Sequence, residues 1–273
     1  MNEFLSYFKP WFKVSQLAPE LIAVREPLHG QDVVSYAILT GYKVHLIDTG
    51  MGIDDISKVF NPRKIASAFL THSHWDHMGG ANLTDKIYVG NNPFELERVK
   101  KGWELNEMKG FQGYFSNPQP NQDRLARFLI SGVKNPIGLN EGDQVELSPE
   151  LSVKAISTPG HTPGSVCYYI EQRGWLFTGD TLYPGPEYLH LPESRVAEYQ
   201  KSLQKLKKVI GDKITTFFPG HNTIKADLRI LDDHIYALRG LSVNEGVKIG
   251  EDGFGKFTEE VWSNFSLRLP RNG

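Results

Sequence analysis

Residues Thr71–Gly80 read THSHWDHMGG, with three histidines and an aspartate inside six consecutive positions. Only nine histidines occur in the whole chain, so a third of them stand in this one loop. Histidines also gather in solvated turns, but His72, His74, Asp76 and His77 together offer neutral imidazole nitrogens and a carboxylate at close quarters. That donor set suits zinc, iron, manganese or cobalt. The loop by itself is half a site, and the rest of the chain must supply partners.

The frame is that of an ordinary globular protein: 273 residues, 40% hydrophobic and 23% charged. A formal net charge of −2 gives no bulk electrostatic reason to expect a nucleic-acid partner. The one cysteine, Cys167, excludes an intramolecular disulfide and favours a reducing compartment. It lies in the apolar run SVCYYI, as a buried inert thiol would. The first residues, MNEFLSYFKPWFKV, are aromatic but interrupted by charges and Pro10. They have neither a signal-peptide core nor a membrane span. The expectation is a cytoplasmic protein without membrane or nucleic-acid partners; oligomeric state is unreadable.

Leu21–Glu26, Val34–Leu39 and Lys43–Asp48 are short branched apolar runs separated by turns, and predict antiparallel strands. KIASAFLTH runs straight into the histidine loop, so the cluster sits at the end of a strand. PFELERVKKGWEL predicts a helix with Pro93 in its first turn. The aromatic, irregular stretch at about 103–137 predicts a lid or binding insertion. A second strand series follows in DQVELS, LSVKAIST, SVCYYIE and GWLFTGD. In SRVAEYQKSLQKLKKVI, Val196, Tyr199, Leu203, Leu206 and Ile210 recur at three- and four-residue steps, the mark of an amphipathic helix. KITTFFPGH then predicts a strand, and Ala226 to Leu238 a further helix. Strands followed by a helix, twice over, predict two packed sheets with helices outside. The aromatic tail at about 241–273 predicts an extension that packs on the body or on a partner.

Three later segments share one form, a strand ending in a turn that carries a candidate ligand. STPGHTPGS presents His161, LFTGDTLY presents Asp180 and TFFPGHNT presents His221. The glycine before each permits a sharp turn and a close approach of backbone to an ion. Seven candidate ligands exceed one tetrahedral shell and suit a dinuclear site.

With these motifs in order, the chain resembles the metallo-β-lactamase-fold hydrolases over roughly Leu21 to Gly240. The resemblance implies an α+β fold, an αββα sandwich of two mixed β-sheets flanked by helices, forming a single domain over 1–273. It implies two divalent metal ions per chain, zinc foremost, with iron or manganese as options. One would be held by His72, His74 and His161, the other by Asp76, His77 and His221, with Asp180 bridging. Asp48 of LIDTG would support the site from behind. The implied chemistry is hydrolysis by a metal-bridging hydroxide, with Asp76 and Asp180 as catalytic residues.

Within the family, TPGHTPGS and FTGDTL are shared with the glyoxalase II-like thioesterases, but the loop after GDTL differs: here it reads YPGPEYLHLPESR. The lactonases and nearby acyl-thioester hydrolases often carry a tyrosine three residues after the bridging aspartate. Tyr183 stands there, where its phenol would hydrogen-bond the substrate carbonyl or leaving oxygen. The reading is therefore a dinuclear hydrolase of small esters, lactones or acyl thioesters. The alternatives are a β-lactam hydrolase and a persulfide dioxygenase using a single iron. His190 reads as a loop residue and Arg195 as an ion-pair partner at a helix start.

Overall fold

The computed structural model describes residues 11–108, 115, 128–211, 213–214, 216–240, 242 and 244–271. Of the expected lid, residues 109–114 and 116–127 lie outside the described residues.

Two large sheets stack face to face. The first runs, edge to edge, through Lys13–Ala18, Leu21–Arg25, Val34–Thr40, Lys43–Ile47, Lys64–Phe69, Ile87–Gly90 and Ile137–Leu139. Its first three pairings are antiparallel and its last three parallel. The second runs through Gln144–Ser148, Leu151–Ser157, Val166–Ile170, Trp175–Gly179, Thr216–Pro219 and Ala226–Asp227. It is antiparallel except where Trp175–Gly179 meets Thr216–Pro219.

Alternation along the strands sorts side chains into layers. In Val166–Ile170, Val166, Tyr168 and Ile170 face the first sheet and pack with Tyr36, Ile38, Ile47 and Phe69. Cys167 and Tyr169 face the other way, against Tyr199, Leu203, Leu206 and Ile210 of the helix Val196–Ile210 and Leu231 and Ile235 of the helix Arg229–Leu238. The outer face of the first sheet, with Ala37, Val44, Leu46 and Ala68, is covered by Ile56, Phe60, Met78 and Val99. The result is the αββα sandwich expected from the sequence. The two sheets are also tied at one edge by the Tyr168 hydroxyl donating to Leu70 O (2.8 Å) and the Tyr36 hydroxyl to Pro219 O (2.7 Å).

Two local expectations are corrected. The helix placed from Ala226 begins at Arg229, because Ala226–Asp227 pairs with Phe217 and Thr216 as an edge strand. Among the described residues Arg195 has no ion-pair partner at its helix start; its guanidinium donates to the Pro192 and Ser194 carbonyls. The tail forms Gly246–Asp252, Gly255–Val261 and Ser266–Pro270, which join Pro186–Tyr188 in a third, four-stranded sheet. Ser266–Pro270 runs parallel to Pro186–Tyr188, so the tail holds the loop that follows Asp180. Among the described residues, no helix is long and apolar enough to cross a membrane.

The helix Pro93–Lys101 is capped by Asn92, whose side chain accepts from Phe94 N, with Pro93 in its first turn. Its first turn also carries Glu95, which is fully buried. The Glu95 carboxylate accepts from Ser73 N and Oγ, Thr162 Oγ1 and Gly164 N. It thereby knots the loop of His72 and His74 to the loop of His161. Glu95→Ala would strand these donors in a dry interior, and is expected to lower unfolding free energy by on the order of 3 kcal/mol. Denaturant titration of the variant checks it.

Candidate metal centre

The strand Lys64–Phe69 ends just before the histidine loop, and the strands Leu151–Ser157, Trp175–Gly179 and Thr216–Pro219 end just before His161, Asp180 and His221. All four ends meet at one edge of the sandwich, where Val166 N donates to Thr71 O and Val34 N to Gly220 O. Glycines make the convergence sterically feasible. Gly179 has φ +50°, and a Cβ there would lie 2.3 Å from Thr71 Oγ1. A Cβ on Gly220 would lie 2.9 Å from His77 Cε1 and 3.0 Å from Asp180 Oδ1.

All seven candidates come together. His72, His74 and His161 form one trio, Asp76, His77 and His221 another, and Asp180 groups with His72 and His77; within each group the donor atoms lie within 4.8 Å of one another. Each histidine has one ring nitrogen committed outward. His77 Nδ1 donates to Asp48 (2.8 Å), His161 Nδ1 to Tyr188 O (3.0 Å) and His221 Nδ1 to Gln31 O (2.6 Å). His74 uses Nε2, which donates to Glu193 Oε1 at 2.8 Å. Thr71 Oγ1 donates to Asp48 and so receives from His72 Nδ1 at 3.1 Å. Asp48 holds this arrangement from a left-handed backbone conformation, φ 56°, which aspartate tolerates better than most residues. It also accepts from Thr71 N at 2.7 Å.

With the rings neutral, these outward bonds leave lone pairs facing inward. His161 Nε2 lies 3.1 Å from His74 Nδ1, and His77 Nε2 lies 3.1 Å from His221 Nε2. Two imidazole lone pairs at that distance repel unless a cation or a proton stands between them. His72 Nε2 is buried and unpartnered, and Asp180 Oδ1 makes no well-formed hydrogen bond although His77 and His221 lie 3.2 and 3.0 Å away. The donor set thus fits divalent cations.

Electrostatics point the same way. Burial disfavours protonated His77, yet Asp180, Asp48 and Asp76 outweigh it and raise its pKa well above the usual histidine value. Burial pushes Asp180 up, but His221 and His77 outweigh it and hold the carboxyl well below its ordinary range. Burial dominates at His161, whose pKa falls to about 4. Carboxylates crowded among imidazoles call for positive charge in their midst.

Above the trios opens a narrow cleft with a free volume of about 70 Å³. Trp75, Trp103, Tyr183, Tyr188, Leu191 and Phe254 give it a largely aromatic wall. Phe254 comes from the tail hairpin and Trp103 from the expected insertion. Trp103 is held by its Nε1–H donating to Ser73 O (2.9 Å) and by the Arg98 guanidinium 3.9 Å from its ring centroid. His190 is not a free loop residue: it is buried, and its Nε2 meets Asp252 of the tail at 2.9 Å. Sequence reasoning misses Glu95, Glu193 and Asp252, each of which looks there like any surface acid.

The model of the metallo-beta-lactamase superfamily matches residues 30–221. This chain belongs to that superfamily. The expectation of a metallo-β-lactamase-fold hydrolase stands with it. Among similar proteins, the acyl-coenzyme A thioesterase MBLAC2 of Homo sapiens is 27% identical over 198 residues, 67% of this chain and 70% of its own. A probable metallo-hydrolase of Bacillus subtilis, YybB, is 28% identical over 64% of this chain and 70% of its own. An atrochrysone carboxyl ACP thioesterase of Emericella nidulans is 24% identical over 79% of this chain and 59% of its own. Among solved structures, a metallo-beta-lactamase family protein from Thermus thermophilus aligns with TM-score 0.62 and 19% identity, covering 85% of each chain. That likeness concerns the fold.

Tyr183 lines the cleft, its ring 5.3 Å from that of His221, and is almost fully buried. Its hydroxyl donates to Pro186 O, so the proton that would assist a substrate carbonyl already has an acceptor. Tyr183→Phe is therefore expected to lower turnover by much less than the roughly tenfold that a free donor aimed at the carbonyl would supply beside bound metal. Steady-state kinetics on the best substrate, with metal content held equal, check it.

Proposed function

We propose that this chain is a dinuclear metal-dependent hydrolase of small esters, lactones or acyl thioesters, with acyl thioesters foremost. The observation that carries this reading is the pair of facing imidazole contacts at 3.1 Å, one in each trio. Two ions bound there would lower the pKa of a shared water toward neutrality and polarise an acyl carbonyl. His72, His74 and His161 would hold the first ion, Asp76, His77 and His221 the second, and Asp180 would reach both. Zinc is the foremost candidate, with iron and manganese compatible with the same donors.

The chain's own residues do the rest. The aromatic wall of the cleft would take up an apolar acyl group. Of the described residues that line it, none is a lysine or arginine; Glu107 is held by Arg98 and Lys101 at 3.2 and 2.5 Å. An anionic carrier such as coenzyme A would then keep its phosphates outside the cleft while the acyl end enters. The thioesterase names of the human and Emericella nidulans relatives support this substrate class. No cysteine nucleophile is needed: Cys167 is buried, and burial pushes its thiol up to about 11.

The test is zinc reconstitution, elemental analysis and a panel of acyl thioesters, lactones and β-lactams. About two zinc ions per chain are expected, with acyl thioester turnover that chelation removes and zinc restores. Asp180→Ala should lower both metal content and turnover, and Cys167→Ser should leave both unchanged. A firm value of one ion per chain, or activity confined to β-lactams, would overturn the reading.

A further inference from the structure

His74 differs from the other four histidines of the site. Its side chain is the most accessible of those with a paired carboxylate, 13% exposed against none for His77, and it stands at the mouth of the cleft beside Trp103. Its outward nitrogen is anchored neither by its own loop nor by the strands beneath it, but by Glu193, 119 residues further along the chain. The same stretch serves His161. Tyr188 O receives the His161 Nδ1–H, and Ser194 Oγ donates to His161 O at 2.7 Å. The segment from Tyr188 to Ser194 therefore grips two of the three members of the first trio from one side.

That segment is itself held. Leu189 N donates to Arg268 O at 3.0 Å, His190 meets Asp252, and the Arg268 guanidinium lies 4.7 Å from the centroids of both Tyr188 and Phe257. Arg195 N donates to Gly160 O at 2.8 Å just beyond it. A loop tied at this many points presents Glu193 in a fixed place.

We propose that Glu193 is a positioning residue for the first metal: it holds His74 with the proton on Nε2 and the Nδ1 lone pair turned toward His161. The inference rests on the metal reading above. An imidazole in an open cleft can rotate about its side-chain torsions or carry its proton on either nitrogen. Only one of those states offers Nδ1 to an ion shared with His161. A carboxylate fixed 2.8 Å from Nε2 selects that state before the metal arrives, and makes the ligand a stronger base once it has. Asp48 has the same relation to His77 in the second trio, so each ion would have one histidine backed by a carboxylate. The competing description is a partly exposed ion pair of little consequence. In that case removal of Glu193 would leave metal affinity untouched.

The test compares full-length wild type with Glu193→Gln and Glu193→Ala, first as apoproteins and then titrated with zinc against a chromophoric chelator. Glu193→Ala is expected to weaken one of the two zinc ions by roughly 10–100-fold and leave the other nearly unchanged. Glu193→Gln, whose amide oxygen still accepts the Nε2–H, is expected to fall between. In the apoprotein, nitrogen NMR at a pH high enough to deprotonate the ring should show His74 as the Nε2–H tautomer in wild type and as a mixture in Glu193→Ala. Melting temperature of the apoproteins should be alike, which a merely structural contact would not predict. Two zinc ions bound by Glu193→Ala with wild-type affinity would overturn the inference and leave the metal reading intact. Wild type that binds no zinc would overturn both. Should the alanine variant not fold, the glutamine variant decides by the same titration, unchanged affinity for both ions counting against the proposal.

Discussion

A pair of buried imidazole nitrogens facing one another at 3.1 Å is an arrangement that needs a cation or a proton between them. Here it occurs twice, and both pairs are built from histidines whose other nitrogen is tied down. Much of the architecture around the site serves to maintain that opposition. The strands that deliver the ligands belong to different sheets, and the hydrogen bonds of Tyr36 and Tyr168 hold the two sheet edges at a fixed separation. If those edges parted, the imidazoles would relax away from one another, and the electrostatic demand for a cation would vanish with the geometry.

Buried carboxylates are the means of holding. Asp48 receives from Thr71 and His77 and sits directly behind the second trio. Glu95 gathers donors from both loops of the first trio. Neither faces the cleft, and each sits in a place where an unsatisfied charge would be strongly destabilising. Full hydrogen bonding makes such groups tolerable and at the same time makes the loops they join rigid. Rigidity of that kind suits a metal site, where a small displacement of a ligand alters coordination.

What is legible in the sequence is local. The ligand loop is contiguous, and His161, Asp180 and His221 each follow a strand and a glycine, so pattern and turn chemistry disclose them together. The sandwich is legible for the same reason: alternation in Val166–Ile170 and the three- and four-residue steps in Val196–Ile210 are properties of single segments. Glu95, Glu193 and Asp252 are not, because their importance lies in partners 22 to 119 positions away. Ala226–Asp227 reads as part of a helix since a two-residue edge strand has no period of its own; only its neighbour Thr216–Pro219 defines it. Tyr183 shows the limit from the other side. Its spacing from Asp180 is plain, whereas the carbonyl of Pro186 that receives its proton is a matter of how the loop folds back.

The parallel pairing of Ser266–Pro270 with Pro186–Tyr188 bears on how the molecule is made. Antiparallel hairpins form as soon as both strands leave the ribosome, but this strand must wait until two helices and a hairpin after its partner have been synthesised. Until it docks, the loop that carries Glu193 and the Tyr188 carbonyl has no edge to lean on. The three histidines of the first trio are all made before that strand, so their outer supports are completed after the ligands themselves.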